Sequence, residues 1–286
     1  MWVFLNDTFV ESDKAVVSVF DHGFLYGDGI YETLRAYGGR VFMLQQHLAR
    51  LQRSGRLIGL KFPLPDKDWP SLVKESMSRN RLHNAYIRIT VSRGEGDIGL
   101  DPGLCRRPTV VILAQPLTPY PPHLFHEGVS LAVVQVRRNL PAALPPQIKS
   151  LNFLNNILAK QEAQQAGAFD GIMLNATGDL TECTTSNLFF VQHGRLCTPS
   201  IECGILDGIT RSVVLMLAQQ NGIAVEEGSY PAAALRQADE CFLTNTTMEI
   251  MPVREVDRTS IGDGRPGPLT LKLRDLFHSH LARFLE

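Results

Sequence analysis

Two periodicities alternate along the chain. The β-branched runs Met1–Leu5 and Phe9–Phe20, separated by Asn6-Asp7, predict strands, and Ile30–Tyr37 and Arg40–Leu44 flank Gly38-Gly39 as a hairpin. Leu44, His47, Leu48, Leu51 and Ile58 then recur at helical spacing, and Ser71–Met77 continues as a second helix after Pro70. Ala85–Val91 and Thr109–Ala114 return to strand patterns. Further on, Val129–Val136, Gly171–Asn175, Asn187–Val191 and Glu240–Thr244 read as strands. Leu151–Ala166, Arg211–Gln220 and the amphipathic Leu269–Leu285 read as helices. Strands and helices mix without strict βαβ alternation, which predicts an α+β fold rather than a doubly wound sheet. Residues 116–122, Pro-Leu-Thr-Pro-Tyr-Pro-Pro, are stiff and extended. They divide the chain into an N-terminal α+β domain (1–117), a linker (118–123) and a C-terminal α+β domain (124–286).

Composition narrows the classes. The length of 286 residues suits two domains at roughly 150 residues each. Hydrophobic residues at 44% and charged residues at 20% mark a globular chain, not a disordered one. Lys plus Arg is 28 and Asp plus Glu is 29, so the basic surplus expected of a nucleic-acid binder is missing. No apolar run nears the ~20 residues of a membrane helix. Cys105, Cys183, Cys197, Cys203 and Cys241 are odd in number and form no C-x-x-C pair. With no signal-peptide pattern after Met1, a reducing, cytoplasmic location is expected. The eight histidines show no ligand spacing, so no metal is expected.

Several motifs mislead. Gly94-Glu-Gly96-Asp-Ile-Gly99 spells G-x-G-x-x-G after a strand, but Leu-Asp-Pro-Gly follows where a dinucleotide site needs a helix. The segment reads as a pocket-shaping loop. The sequons at Asn6, Asn175 and Asn245 lack a secretory context, and no G-x-S-x-G nucleophile elbow exists.

Four other features combine. Lys149 follows the Pro-rich stretch holding Pro141, Pro145 and Pro146 and stands at the start of an apolar helix. A cation is out of place there, because the helix dipole disfavours it, and such a lysine suits Schiff-base chemistry. Gly208-Ile-Thr210-Arg opens the Arg211–Gln220 helix with free amides that suit a phosphate. Thr244-Asn-Thr-Thr247 offers hydroxyls at a strand end for a second side of that phosphate. Glu182 sits in an otherwise uncharged segment, Thr181 to Asn187, and needs either solvent or a cation; a protonated pyridine nitrogen would serve. Lysine, phosphate cradle and ring carboxylate are the needs of pyridoxal 5′-phosphate.

At this point the chain resembles the fold-type IV aminotransferases, which include branched-chain and D-amino-acid aminotransferases and aminodeoxychorismate lyase. The matching stretches are Phe20–Arg35, His47–Leu51, Lys149-Ser-Leu-Asn152, Thr181-Glu182 to Asn187-Leu-Phe, Gly204–Arg211 and Met248–Val253. The resemblance implies that Lys149 holds the cofactor as an internal aldimine and then serves as base and acid. It implies that Arg50, the amides of Ile209 and Thr210 after Gly208, and the Thr246 hydroxyl bind the phosphate. Leu206 would pack on the ring, and Glu182 would keep its nitrogen protonated. Tyr31, Thr33, Arg35, Tyr86, Arg88, Thr247 and Met248 occupy substrate-pocket positions. The expected reaction is transamination of a branched-chain or other aliphatic amino acid, with a 2-oxo acid such as 2-oxoglutarate as acceptor. D-amino-acid transamination and the lyase reaction, giving 4-aminobenzoate and pyruvate, are alternatives, as is a non-catalytic cofactor-binding dimer. A homodimer is implied by the same resemblance.

Overall fold

Glycine, asparagine and proline punctuate the first 118 residues into short antiparallel strands. In the computed structural model, which describes residues 1–60 and 68–286, these are β1 (Trp2–Leu5), β2 (Thr8–Glu11), β3 (Gly29–Tyr37), β4 (Arg40–Val41), β5 (Ala85–Ser92) and β6 (Thr109–Pro116). They pair antiparallel in the order β2-β1-β6-β5-β3-β4. The Phe9–Phe20 strand of the sequence reading ends early, at Glu11. A five-residue helix, α1 (His22–Tyr26), capped by the Asp21 carboxylate, comes before β3. Gly38 and Gly39 both take positive φ in the β3–β4 turn, which side-chain-bearing residues resist.

One face of this sheet is apolar, and the alternation shows why. Ile30, Leu34 and Ala36 of β3, Ile87, Ile89 and Val91 of β5, and Val110, Ile112 and Ala114 of β6 are buried. Helix α2 (Leu44–Leu57) adds Leu44, Leu48 and Leu51, and α3 (Trp69–Arg79) adds Trp69, Val73 and Met77 to the same core. Each large side chain buried there contributes roughly 1.5–3 kcal/mol. Tyr31, Thr33, Arg35, Tyr86 and Arg88 point the other way, and their strands pair Thr33 with Arg88 and Arg35 with Tyr86. Residues 148–152 and 284–286 belong to this unit rather than to the second. Ser150 bridges Ile30, and the Val41 and Glu286 main chains exchange hydrogen bonds.

The second unit spans 119–147 and 153–283. The stretch expected as a linker already contains the start of a short helix, α4 (Pro122–Glu127). The unit is built on β7 (Val129–Val133), β8 (Asp170–Leu174), β9 (Leu180–Cys183), β10 (Asn187–Gln192), β11 (Arg195–Pro199), β12 (Val225–Gly228), β13 (Glu240–Asn245), β14 (Glu249–Val256) and β15 (Thr259–Ser260). Strands run β10-β13-β14-β7-β8-β9, and a further pairing of Glu182 with Asn187 closes β9 back onto β10. This single residue pair brings the end of β9 beside the start of β10. Helices α5 (Leu154–Gln165), α6 (Ile209–Gln220) and α7 (Pro268–His280) complete the unit. Phe189 and Phe242, a cross-strand pair, stack with ring centres 4.9 Å apart.

Candidate active site

In the first unit, α2 carries a polar stripe through an apolar core. His47, Arg50 and Ser54 recur at helical spacing and are all buried. Glu32, on the inward face of β3 and fully buried, engages the first two. His47 Nδ1 lies 2.7 Å from its Oε2, Arg50 Nε donates to Oε1 at 2.7 Å, and Arg50 Nη2 donates to Oε2 at 2.9 Å. Burial alone would raise the Glu32 carboxyl, but Arg50 and His47 outweigh it and hold it well below the usual carboxylate range. Burial pushes the His47 imidazole down, against the pull of Glu32. Its Nε2 is buried without a hydrogen-bond partner. The sequence reading missed Glu32, although a carboxylate among Ile30, Leu34 and Ala36 raises the same question that Glu182 raised.

Lys149 is held by its main chain. Its amide donates to Ser54 Oγ at 3.2 Å and its carbonyl accepts from the Tyr31 amide at 2.9 Å. The helix expected to begin at Leu151 begins at Leu154, so Lys149 lies in an extended segment beside β3 and not at a helix start. Pairing with β3 outcompetes the helix, as the Leu151 amide donates to Gly29 O. Lys149 Nζ lies 4.5 Å from the centre of the Tyr31 ring, and the Arg88 guanidinium lies 4.0 Å from the same centre. Arg88 Nε donates to Thr90 Oγ1, and no carboxylate among the described residues pairs with Arg88 or Lys149. Arg35 stacks on Tyr37. Tyr31, Thr33, Arg35, Tyr86, Arg88 and Lys149 thus share one unit, with Tyr31 and its two cations in direct contact.

The loop 94–107 of this unit is anchored rather than open. Gly94 has φ +99°, and a β-carbon there would strike Arg107 O. His22 Nε2 meets Asp97 O at 2.9 Å, Tyr26 Oη accepts from the Gly99 amide at 3.2 Å, and Ser18 Oγ donates to Glu95 at 3.0 Å. Ile98 and Leu100 stand out from it, 76% and 83% exposed.

In the second unit, Glu182 sits at the seam where β9 meets β10. It is buried, and the chain itself supplies the cation: Arg138 Nε donates to Oε1 at 3.0 Å, and Arg138 Nη2 is 3.0 Å from the same oxygen. The Leu206 amide and Asn187 Nδ2 donate to Oε2 at 3.0 and 3.2 Å. Asn187 also donates to Leu206 O at 2.9 Å, so the loop before α6 is tied to Glu182. A β-carbon on Gly208 would strike Asn187 Oδ1, and Gly208 gives the first amides of α6 no side-chain cap. The helix opens at Ile209, two residues before the expected start, so Ile209 and Thr210 supply the uncapped amides. Thr246 and Thr247 lie half-buried beyond the end of β13, where Asn245 Oδ1 accepts from the amides of Thr247 and Met248. Asn6 and Asn175, the other sequon residues, likewise accept backbone amides in turns. Thr210 Oγ1, Ser186 Oγ and Thr244 Oγ1 are buried with no hydrogen-bond partner among the described residues. The Thr210 hydroxyl, in the first turn of α6 with its uncapped amides, fits a ligand rich in acceptor oxygens.

The sequence profile of amino-transferase class IV matches residues 29–256. The chain belongs to this family. It is 44% identical over 277 residues to the branched-chain-amino-acid aminotransferase assigned to Methanocaldococcus jannaschii, covering 97% of this chain and 95% of that one. It is 35% identical to a D-alanine aminotransferase of Listeria innocua, covering 99% and 97%; an aminodeoxychorismate lyase of Bacillus subtilis is also among its relatives. The crystal structure of the T.th. branched-chain amino acid aminotransferase with pyridoxamine 5′-phosphate superposes with a TM-score of 0.95 at 29% identity, covering 100% of this chain and 97% of that one. The fold is therefore the fold-type IV α+β fold. The protein is a pyridoxal-phosphate-dependent aminotransferase, and within the second unit the uncapped amides and the Thr210 hydroxyl suit the phosphate of that cofactor. No helix among the described residues is long and apolar enough to cross a membrane.

Proposed function

We propose that this class IV aminotransferase moves the amino group of a branched-chain or other aliphatic amino acid to a 2-oxo acid such as 2-oxoglutarate, with Lys149 as its catalytic residue. The observation that carries the reading is the lysine amine resting on Tyr31 with no carboxylate beside it, on a main chain fastened at both amide and carbonyl. Pyridoxal 5′-phosphate, when bound, supplies the aldehyde and the electron-accepting ring that make an amino acid's Cα–H acidic. With the cofactor bound, Lys149 would serve as the base that takes the proton from the substrate Cα and as the acid that gives it back. Glu182 holds the proton of the ring nitrogen. Arg50, held by Glu32, and the amides of Ile209 and Thr210 bind phosphate oxygens, with the hydroxyl of Thr246, and Leu206 packs on the ring.

Arg88 is the seat for a substrate carboxylate, because its guanidinium shares the Tyr31 ring with Lys149 and has no acidic partner of its own among the described residues. By the family resemblance Tyr31, Thr33, Arg35, Tyr86, Thr247 and Met248 are substrate-binding residues. The aliphatic preference is supported by the Methanocaldococcus jannaschii relative. The five free cysteines support a cytoplasmic location. The exposed Ile98 and Leu100 on an anchored loop support a homodimer in which this loop is covered.

Lys149→Ala is expected to abolish turnover. Borohydride reduction of the loaded protein followed by peptide mapping is expected to label Lys149; a label on another lysine overturns the assignment. Mixing the loaded protein with L- and D-amino acids in turn, and following the cofactor absorbance, identifies the donor. Pyruvate formed from aminodeoxychorismate with no 2-oxo acid present would reassign the chain to the lyase reaction.

A further inference from the structure

Glu182 is surrounded by more donors than a buried carboxylate needs for charge balance alone. Here Arg138 Nε and Nη2 take Oε1, while the Leu206 amide and Asn187 Nδ2 take Oε2. Arg138 is itself gripped. Its amide donates to Leu174 O at 2.9 Å, its Nη1 donates to Asn155 Oδ1 at 3.4 Å, and Asn155 Nδ2 donates to the neighbouring Arg137 O at 2.7 Å. The Arg138 side chain is only 9% exposed. A guanidinium with both its backbone and its head fastened does not swing freely.

We propose that Arg138 is a positioning residue for the cofactor ring, acting through Glu182. The inference rests on the reading of Glu182 as the ring-nitrogen carboxylate. Left alone in this buried seam, the Glu182 carboxylate would bear the full cost of its desolvation with no opposite charge to offset it. A fixed guanidinium supplies that charge. It also fixes the rotation of the carboxylate, so the face of Glu182 presented to a ligand does not depend on side-chain relaxation. The Leu206 amide and Asn187 contribute to the same orientation from the other oxygen. Arg138 follows Arg137 in a segment after β7, where sequence alone offers two cations and no reason to prefer one. The structure separates them: Arg137 is exposed, and Arg138 is paired.

The alternative is an ion pair that merely holds the β9–β10 seam together. A double-mutant cycle on the full chain has the dissociation constant of pyridoxal 5′-phosphate, followed by its visible absorbance, as one readout and the pH dependence of the bound cofactor's absorbance as the second; Arg138→Met is expected to shift that pH dependence, which a seam contact alone leaves unchanged. Arg138→Met is expected to weaken cofactor binding about tenfold with Glu182 in place, and less than about twofold when Glu182→Gln is already present. Arg138→Lys, which keeps the charge but loses the fork, is expected to restore part of the loss. Equal losses in the two backgrounds overturn the proposal, because a residue acting through Glu182 has nothing to act on once that carboxylate is gone. Should Arg138→Met not fold, Arg138→Lys in both backgrounds runs the same cycle. Borohydride labelling of Lys149 in the unmutated protein is the control for the underlying reading: no label there defeats the function, whereas a label with an additive cycle defeats only Arg138.

Discussion

Glu32 sits where water cannot reach it, and its two partners decide its chemistry. Removing it leaves the Arg50 guanidinium buried without its counter-charge, a change that typically costs about 3–5 kcal/mol. Glu32→Gln is therefore expected to lower the unfolding midpoint and to weaken phosphate binding through a displaced Arg50. The pH dependence follows from the direction of each shift. The Glu32 carboxyl is depressed in the native state, so its contribution is complete above 4.5 and is lost as pH falls from there towards the native value. His47 is also depressed, from 6.5, so the unfolded chain binds its proton first and stability declines as pH falls below that value. Thermal unfolding between pH 7 and pH 3 should show both losses, and the lower one should be missing in Glu32→Gln (these pH limits bracket roughly the ordinary His and Glu values). A variant that keeps the full acid loss would remove Glu32 from this account.

At the scale of the element, the opening of α6 depends on a side chain that is not there. Gly208 has an ordinary negative φ, so the requirement for glycine comes from space. Its missing β-carbon leaves room for Asn187, which bonds to Glu182 and Leu206. Gly208→Ala is expected to destabilise the cofactor-free protein by about 1–3 kcal/mol through overpacking, and to weaken cofactor binding as well. Thermal unfolding with and without pyridoxal 5′-phosphate checks this; an unchanged midpoint in both would show that Asn187 moves aside without cost. The sequence places glycine here but says nothing of Asn187, because that contact spans more than twenty positions. The Lys149 segment teaches the same lesson in reverse. Its local pattern favours a helix from Leu151, and long-range pairing with β3 overrides it until Leu154.

On the scale of the whole molecule, most of the exposed large apolar side chains of the first unit lie in two stretches. Val16, Val17, Val19, Phe20 and Phe24 precede or lie in α1, and Ile98 and Leu100 lie on the loop that the residue 18–26 segment anchors. Apolar groups fixed in water at such density are a contact surface in most soluble proteins. Replacing Ile98 and Leu100 together by Asp is expected to shift the protein towards monomer in analytical ultracentrifugation while leaving the far-ultraviolet circular dichroism unchanged. A distribution identical to that of the unmutated protein would overturn a homodimer built on this loop.

Periodicity and residue type alone determined the mixed α+β character, the lysine, the glycine-opened helix and a carboxylate in need of a partner, because each is a statement about a few neighbouring residues. Tertiary structure alone decided which partner each charged group received: Arg138 for Glu182, Glu32 for Arg50, Tyr31 beneath Lys149. Those pairings join residues 18 to 118 positions apart, and what brings them together is strand register and burial, which no local pattern encodes.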